Sequence, residues 1–115
     1  MDIKDKIAYL KKKYGTNNPF ELASRMNITV FFEDLGNING YYNKQLRMKQ
    51  IHINYNLSKH MQKFTCAHEL GHAILHPDSS TPFLKAHTGF SITRMETDAD
   101  RFAIGLLIED DDLTE

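Results

Sequence analysis

Apolar positions recur with helical spacing at both ends of the chain and alternate in the middle. Ile3, Ile7, Leu10 and Tyr14 stand four, three and four apart with lysines on the other faces, which predicts an amphipathic helix over 3–14 that Gly15 ends. Asn18, Pro19 and Glu21 then combine an N-cap, a first-turn proline and a capping-box carboxylate. They predict a short helix from Pro19 to about Met26, with Asn27 as a left-handed stop. Over 28–33 the residues become β-branched and aromatic, with Ile28, Val30 and Phe32 on one face of a strand. Turn residues Gly36, Asn37, Asn39 and Gly40 separate it from a second strand around Tyr41-Tyr42-Asn43, and Ile51, Ile53 and Tyr55 alternate in a third over 50–55. The economical arrangement is an antiparallel meander. Ser58 can cap a long helix that must end near Leu75 or His76, because Pro77 cannot continue it. Residues 77–92 read as loop. From Thr93 onward Met95, Ala99, Phe102, Ala103, Leu106 and Leu107 restore a helical stripe.

These elements predict an α+β fold: a small domain in which a three-stranded antiparallel sheet packs against the long central helix and flanking helices. A chain of 115 residues with 41% apolar residues suits a single domain over 1–115, with 108–115 as an acidic tail. The net charge of −1 argues against direct nucleic-acid binding and against a membrane surface, both of which favour a basic excess. Lys11-Lys12-Lys13 and Asp110-Asp111-Asp112 read as solvated faces rather than sites. No apolar run approaches the roughly 20 residues of a membrane span, and the first residues lack the apolar core of a secretory signal, so the expected location is the cytoplasm. The single cysteine, Cys66, reads as a small buried apolar residue.

Chemistry concentrates in the long helix. His68-Glu69-Leu70-Gly71-His72 places two imidazoles four residues apart, hence on one helix face and aimed at a common point. Glu69 stands beside them, where a general base must sit without being obliged to ligate a metal. At the chain's own frequencies of histidine and glutamate this pentad arises by accident in roughly one such sequence in sixty. The bland alternative is a pair of core histidines bonded to buried polar groups.

A catalytic zinc takes three protein ligands and leaves one position open, so a third must come from elsewhere in the chain. The metzincin pattern would place a histidine at 78, where this chain has Asp78. The other solution is a glutamate on a later helix, as in gluzincins, and Glu96 is well placed. Asp100, one turn on, can accept the outer N–H of a ligating histidine. Glu96, Asp98 and Asp100 are equally what a helix N-terminal turn favours through its dipole. His76 stacks on the His68/His72 face at the helix end, where it can support the site or cap carbonyls. His87 can serve as an oxyanion donor or be an ordinary loop histidine. Gly40, Tyr41, Tyr42 and Asn43 form the candidate strand edge for a bound peptide. His52 and His60 have no evident functional role.

The run His68 to His76, HELGHAILH, followed by Glu96 to Leu107, ETDADRFAIGLL, resembles the ImmA/IrrE family of zinc metallopeptidases, whose signature is HELGHxxLH and then ExEAxxFAxxLL. The Ile51-His52-Ile53-Asn54 strand and Phe64 extend the similarity over nearly the whole chain. The resemblance implies a small zincin-like domain with one Zn2+ held by His68, His72 and Glu96, and with Glu69 catalytic. It further implies cleavage or inactivation of a helix-turn-helix repressor of a mobile element or stress regulon. The alternative in another class is a zinc-bound, non-hydrolytic anti-repressor that acts by binding the repressor. Two positions depart from the family pattern: Asp98 stands where glutamate or glutamine is frequent, and Leu107-Ile108-Glu109-Asp110 replaces a Leu-Leu-Met-Pro ending.

Overall fold

A computed structural model describes residues 2–80 and 90–108, with side chains from 93 onward in the second segment. Four helices and three strands follow one another as α1 (Ile3–Tyr14), α2 (Pro19–Arg25), β1 (Ile28–Glu33), β2 (Gly40–Gln45), β3 (Met48–Asn54), α3 (Lys59–Leu75) and α4 (Phe90–Leu107). The architecture is α+β, as the sequence pattern predicts.

The local signals sit at the element ends. Asp2 caps α1 by accepting from the Asp5 N–H at 2.8 Å, and Gly15 closes it in the left-handed region at φ 70°. The Asn18 side chain accepts from the backbone of Phe20 and Glu21 at the start of α2, with Pro19 in the first turn. Asn27 supplies the left-handed stop at φ 60°. Ser58 accepts from the Met61 N–H and so caps α3.

The sheet departs from the predicted meander. Its order is β1-β3-β2; β2 and β3 form an antiparallel hairpin, but β1 runs parallel to β3. The third strand therefore takes the centre. It is the strand that carries Ile51, His52, Ile53 and Asn54 all buried, whereas β1 exposes Phe31 and Phe32 and β2 ends exposed at Gln45. A central strand is flanked by a neighbour along both edges, which shields its residues more than those of an edge strand, and the burial pattern agrees with that order. Residues 34–39 carry the chain from β1 past β3 to the far edge. That crossing is pinned by Asn54, whose amide donates to the carbonyls of Gly36 and Ile38, both at 3.0 Å, while its backbone N–H donates to Asn39 O at 2.8 Å.

Ile51, Ile53 and Tyr42 lie fully buried in one core with Leu70, Cys66, Ala67 and Ala73 of α3. On the other side α3 packs against α4 through Phe102, Ala103 and Leu106. Helix α1 closes against α4, and α2 against β1 and α3. The central helix is thus gripped between sheet and α4, which fixes how its polar face is presented. Among the described residues no helix is long and apolar enough to cross a membrane.

Candidate metal centre

Three side chains converge between α3 and α4. His68 Nε2 stands 2.9 Å from Glu96 Oε1, and His72 Nε2 stands 3.3 Å from Glu96 Oε2. One ligand atom from each of His68, His72 and Glu96 lies within 4.8 Å of the others. Donor atoms around a tetrahedral cation with bonds of about 2.0–2.1 Å stand roughly 3.3 Å apart, so the two carboxylate contacts already have the right scale.

Sequence spacing brings His68 and His72 to one face of α3, but only tertiary packing brings Glu96 to meet them. Gly71 lies on the same helix where α4 crosses, and a Cβ there would come 3.1 Å from Phe102 Cβ and 3.2 Å from Ala99 Cα. The helices approach this closely because Gly71 and Ala99 offer almost no side chain.

The electrostatics follow from this proximity. The hydrogen bond from His68, with the close polar contact of His72 acting in the same direction, holds the Glu96 carboxyl well below the usual carboxylate range against the opposing effect of its own burial. Burial alone would lower the pKa of His68. The hydrogen bond to Glu96 and the nearby carboxylates of Glu69, Glu96 and Asp100 outweigh it and raise the value. His72 is fully buried, and its Nε2 has no hydrogen-bond partner among the described residues; the Glu96 contact lacks the alignment of a hydrogen bond. A buried, unsatisfied imidazole nitrogen aimed at a carboxylate is costly unless something else accepts its lone pair. Two imidazole nitrogens and one carboxylate oxygen form a donor set that suits a borderline cation, so these residues fit a bound metal.

The remaining predicted residues fall around this centre. Asp100 Oδ1 lies 2.8 Å from His68 Nδ1, on the outer side of that ring. His76 is the C-cap residue of α3; its backbone N–H donates to His72 O, and its ring lies against His72. Burial, followed by the neighbouring His72, lowers its pKa. Glu69 is 4% exposed and lines a cleft of about 390 Å³ together with His68, Asp100, Thr65, Phe64, Met61 and the loop from Asn37 to Gly40. Gly40 lies where this cleft meets the sheet. A Cβ there would come 2.6 Å from the carbonyl oxygen of His52 and 2.7 Å from Thr65 Cγ2.

Tyr42 turns into the core, its hydroxyl donating to Pro77 O at 2.6 Å, and burial pushes its pKa up to about 12. Tyr41 and Asn43 face the other side of β2 and meet His52: Tyr41 stacks on its ring at 4.3 Å and Asn43 Oδ1 lies 3.1 Å from Nε2. The side chains of 41–43 thus point to two faces of the sheet and do not form one surface. His87 lies outside the described residues. His52, which carried no predicted role, is a structural element of the open sheet face, stacked between Phe31 and Tyr41 and 3.2 Å from Glu33. Asp98, read only as part of an acidic turn or as a departure from the family pattern, lies beside His76. The four-residue step from His72 to His76 was the available signal that this end of the helix belongs to the centre.

The IrrE N-terminal-like domain model of the Peptidase M78 family matches residues 23–115. The chain belongs to the ImmA/IrrE family of metallopeptidases. It is 36% identical to the metallopeptidase ImmA of Bacillus subtilis (strain 168) over 115 residues, covering 98% of this chain and 67% of that protein. It is 48% identical to the uncharacterized immunity region protein 2 of Bacillus phage phi105 over 109 residues, covering 94% of this chain and 69% of that one. Membership in this family implies a metal, and the His68, His72 and Glu96 group is a place able to hold it.

Proposed function

We propose that this chain is a zinc-dependent endopeptidase that acts in the cytoplasm, with His68, His72 and Glu96 as the zinc ligands and Glu69 as the general base. The observation that carries this reading is the convergence of three ligand atoms from two helices beside a buried glutamate that lines a cleft. Zinc held by these three residues would supply Lewis-acid polarisation of a scissile carbonyl and would lower the pKa of water beside it. Glu69 takes the proton from the attacking water and returns it to the leaving amine. Asp100 accepts the outer N–H of His68, which leaves Nε2 free to ligate. In this reading the edge strand β2, over 40–43, receives the peptide main chain as an added strand, and the adjoining loop 37–39 lines the cleft across from α3.

The substrate in this reading is a helix-turn-helix repressor of a mobile element or stress regulon. It is supported by the family and by the immunity-region name of the phage relative. The decisive variant is Glu69→Gln. It should abolish fragment formation from the repressor encoded beside this chain while leaving zinc and repressor binding intact. Full relief of repression by Glu69→Gln with no fragment produced would refute the peptidase and leave the non-hydrolytic anti-repressor. Glu96→Ala should weaken zinc binding by orders of magnitude, and unchanged affinity would remove Glu96 from the ligand set.

A further inference from the structure

The two histidines of the centre are supported differently. His68 has a carboxylate directly behind it, with Asp100 Oδ1 2.8 Å from Nδ1. Behind His72 stands another imidazole: His76 Nδ1 lies 3.4 Å from His72 Nδ1. On the far side of that second ring, His76 Nε2 lies 3.6 Å from Asp98 Oδ2, too long for a hydrogen bond but within the range of an electrostatic contact. Asp98 belongs to α4, two residues beyond Glu96, so both helices contribute to this second chain of groups as they do to the first.

We propose that Asp98 and His76 form a relay that fixes the orientation and tautomer of His72, making both of them positioning residues for the metal centre. The inference rests on the zinc reading given above. Its chemistry follows from what each atom can do. A carboxylate only accepts, so the N–H of a neutral His76 ring is favoured on Nε2, facing Asp98. His76 Nδ1 is then an acceptor, and the atom in front of it, His72 Nδ1, must carry the donor hydrogen. That leaves the lone pair of His72 on Nε2, the buried atom with no hydrogen-bond partner among the described residues.

The geometry also accounts for the presence of a second imidazole. His72 is fully buried in a helix that Gly71 brings close to α4, and the intervening His76 ring spans the distance between His72 and the acid. The helix end supplies the reach. At His76 the backbone leaves helical geometry, with φ −136° and ψ 58°, while its N–H still bonds His72 O at 2.8 Å. This holds the side chain alongside the residue one turn earlier. His76 approaches the outer nitrogen of His72, and it does not belong to the group whose ligand atoms converge.

The test is zinc affinity by chelator competition, together with the visible spectrum of the cobalt-substituted protein, in the full chain. His76→Leu should lower zinc affinity roughly 10- to 100-fold and shift the cobalt absorption bands. His76→Asn, whose Oδ1 occupies the place of Nδ1, should recover most of the affinity. Asp98→Asn should lose affinity by less than His76→Leu, and His76→Leu combined with Asp98→Asn should bind no more weakly than His76→Leu alone, because a relay cut once cannot be cut again. Wild-type affinity and an unshifted spectrum in His76→Leu, or losses that multiply in the double variant, would overturn the relay. Should His76→Leu fail to fold, Asp98→Asn decides alone: lowered affinity restored by Asp98→Glu supports the relay, and unchanged affinity overturns it. Failure of the zinc reading would look different, since neither wild type nor His72→Ala would then bind zinc at the centre.

Discussion

A Cβ added at Gly71 would stand 3.2 Å from the Cα of Ala99, so two residues with almost no side chain set the distance between the helix that carries the histidines and the helix that carries Glu96. Both neighbours of the missing methyl group belong to helix α4 itself, its backbone and the root of the Phe102 side chain, and neither can rotate away. Gly71→Ala should push α4 outward by a few tenths of an ångström, destabilise the fold by about 1–3 kcal/mol and weaken zinc binding more than its effect on stability alone implies. Calorimetry and chelator competition on the same sample check both parts; a variant with normal zinc affinity would show that the crossing distance does not govern the site.

The glycines of the interior form a ranked series. At Gly40 the added methyl would meet the backbone oxygen of His52 at 2.6 Å, whereas at Gly105 it would meet only the end of the Ile7 side chain, also at 2.6 Å. Backbone in a sheet cannot step aside, but a terminal methyl can find another rotamer. Gly40→Ala should therefore lower Tm more than Gly71→Ala, and Gly105→Ala least of the three. Gly105→Ala as the most damaging substitution would refute the ranking.

Removal of metal should expose a pH dependence built from the same groups. The Glu96 carboxyl is depressed by His68 and then His72, so its contribution to stability is present above its ordinary pKa of 4.5 and disappears as pH falls toward the folded value. His68 is raised above its ordinary 6.5, despite burial, by Glu96 and the adjacent carboxylates; its contribution is present below 6.5 and is lost as pH rises through the folded value. The chelated protein should consequently be most stable at about pH 5–6, with Glu96→Gln flattening the optimum. Zinc affinity should run the other way and increase with pH, because ligating imidazoles must be neutral. Thermal unfolding of the two chelated proteins across pH measures the first effect, and an unaltered profile in Glu96→Gln would contradict it.

Asn54 holds the lip of the cleft through two carbonyls of the 36–39 loop and, with its own Oδ1, the N–H of Asn56 at 3.0 Å. It is 3% exposed, so its loss leaves buried groups without partners. Asn54→Ala should cost about 1–3 kcal/mol and accelerate amide exchange at Gly36 to Asn39 while leaving zinc affinity near that of the wild type. Unchanged exchange in that loop would show that other contacts hold it.

Cys66 is fully buried, and burial, with Glu69 adding to it, pushes its thiol up to about 12. Ordinary thiol reagents need both access and thiolate, and this side chain offers neither. It should stay unmodified in the native protein and react at once in denaturant. Rapid modification under native conditions would mean that α3 opens locally.

The sequence by itself determined the elements and half of the centre. Caps at Asn18 and Ser58 and left-handed stops at Gly15 and Asn27 act within a few residues, so these helix ends could be read directly; the Asp2 cap of α1 went unread, and α4 begins earlier than the stripe from Thr93 suggests. The four-residue step of a helix likewise makes His68 and His72 neighbours whatever the rest of the chain does. Strand order was not legible, because alternation marks which face of a strand is buried and says nothing about which strand lies beside it. Only the packed structure puts β3 in the centre and β1 parallel to it. It also brings residues 28 positions apart together at His68 and Glu96, and sets Asp98 behind His76, since these contacts depend on how closely two helices approach. That approach is decided by Gly71 and Ala99; both are positions of the family signature, but periodicity says nothing of how closely their small side chains let the two helices meet.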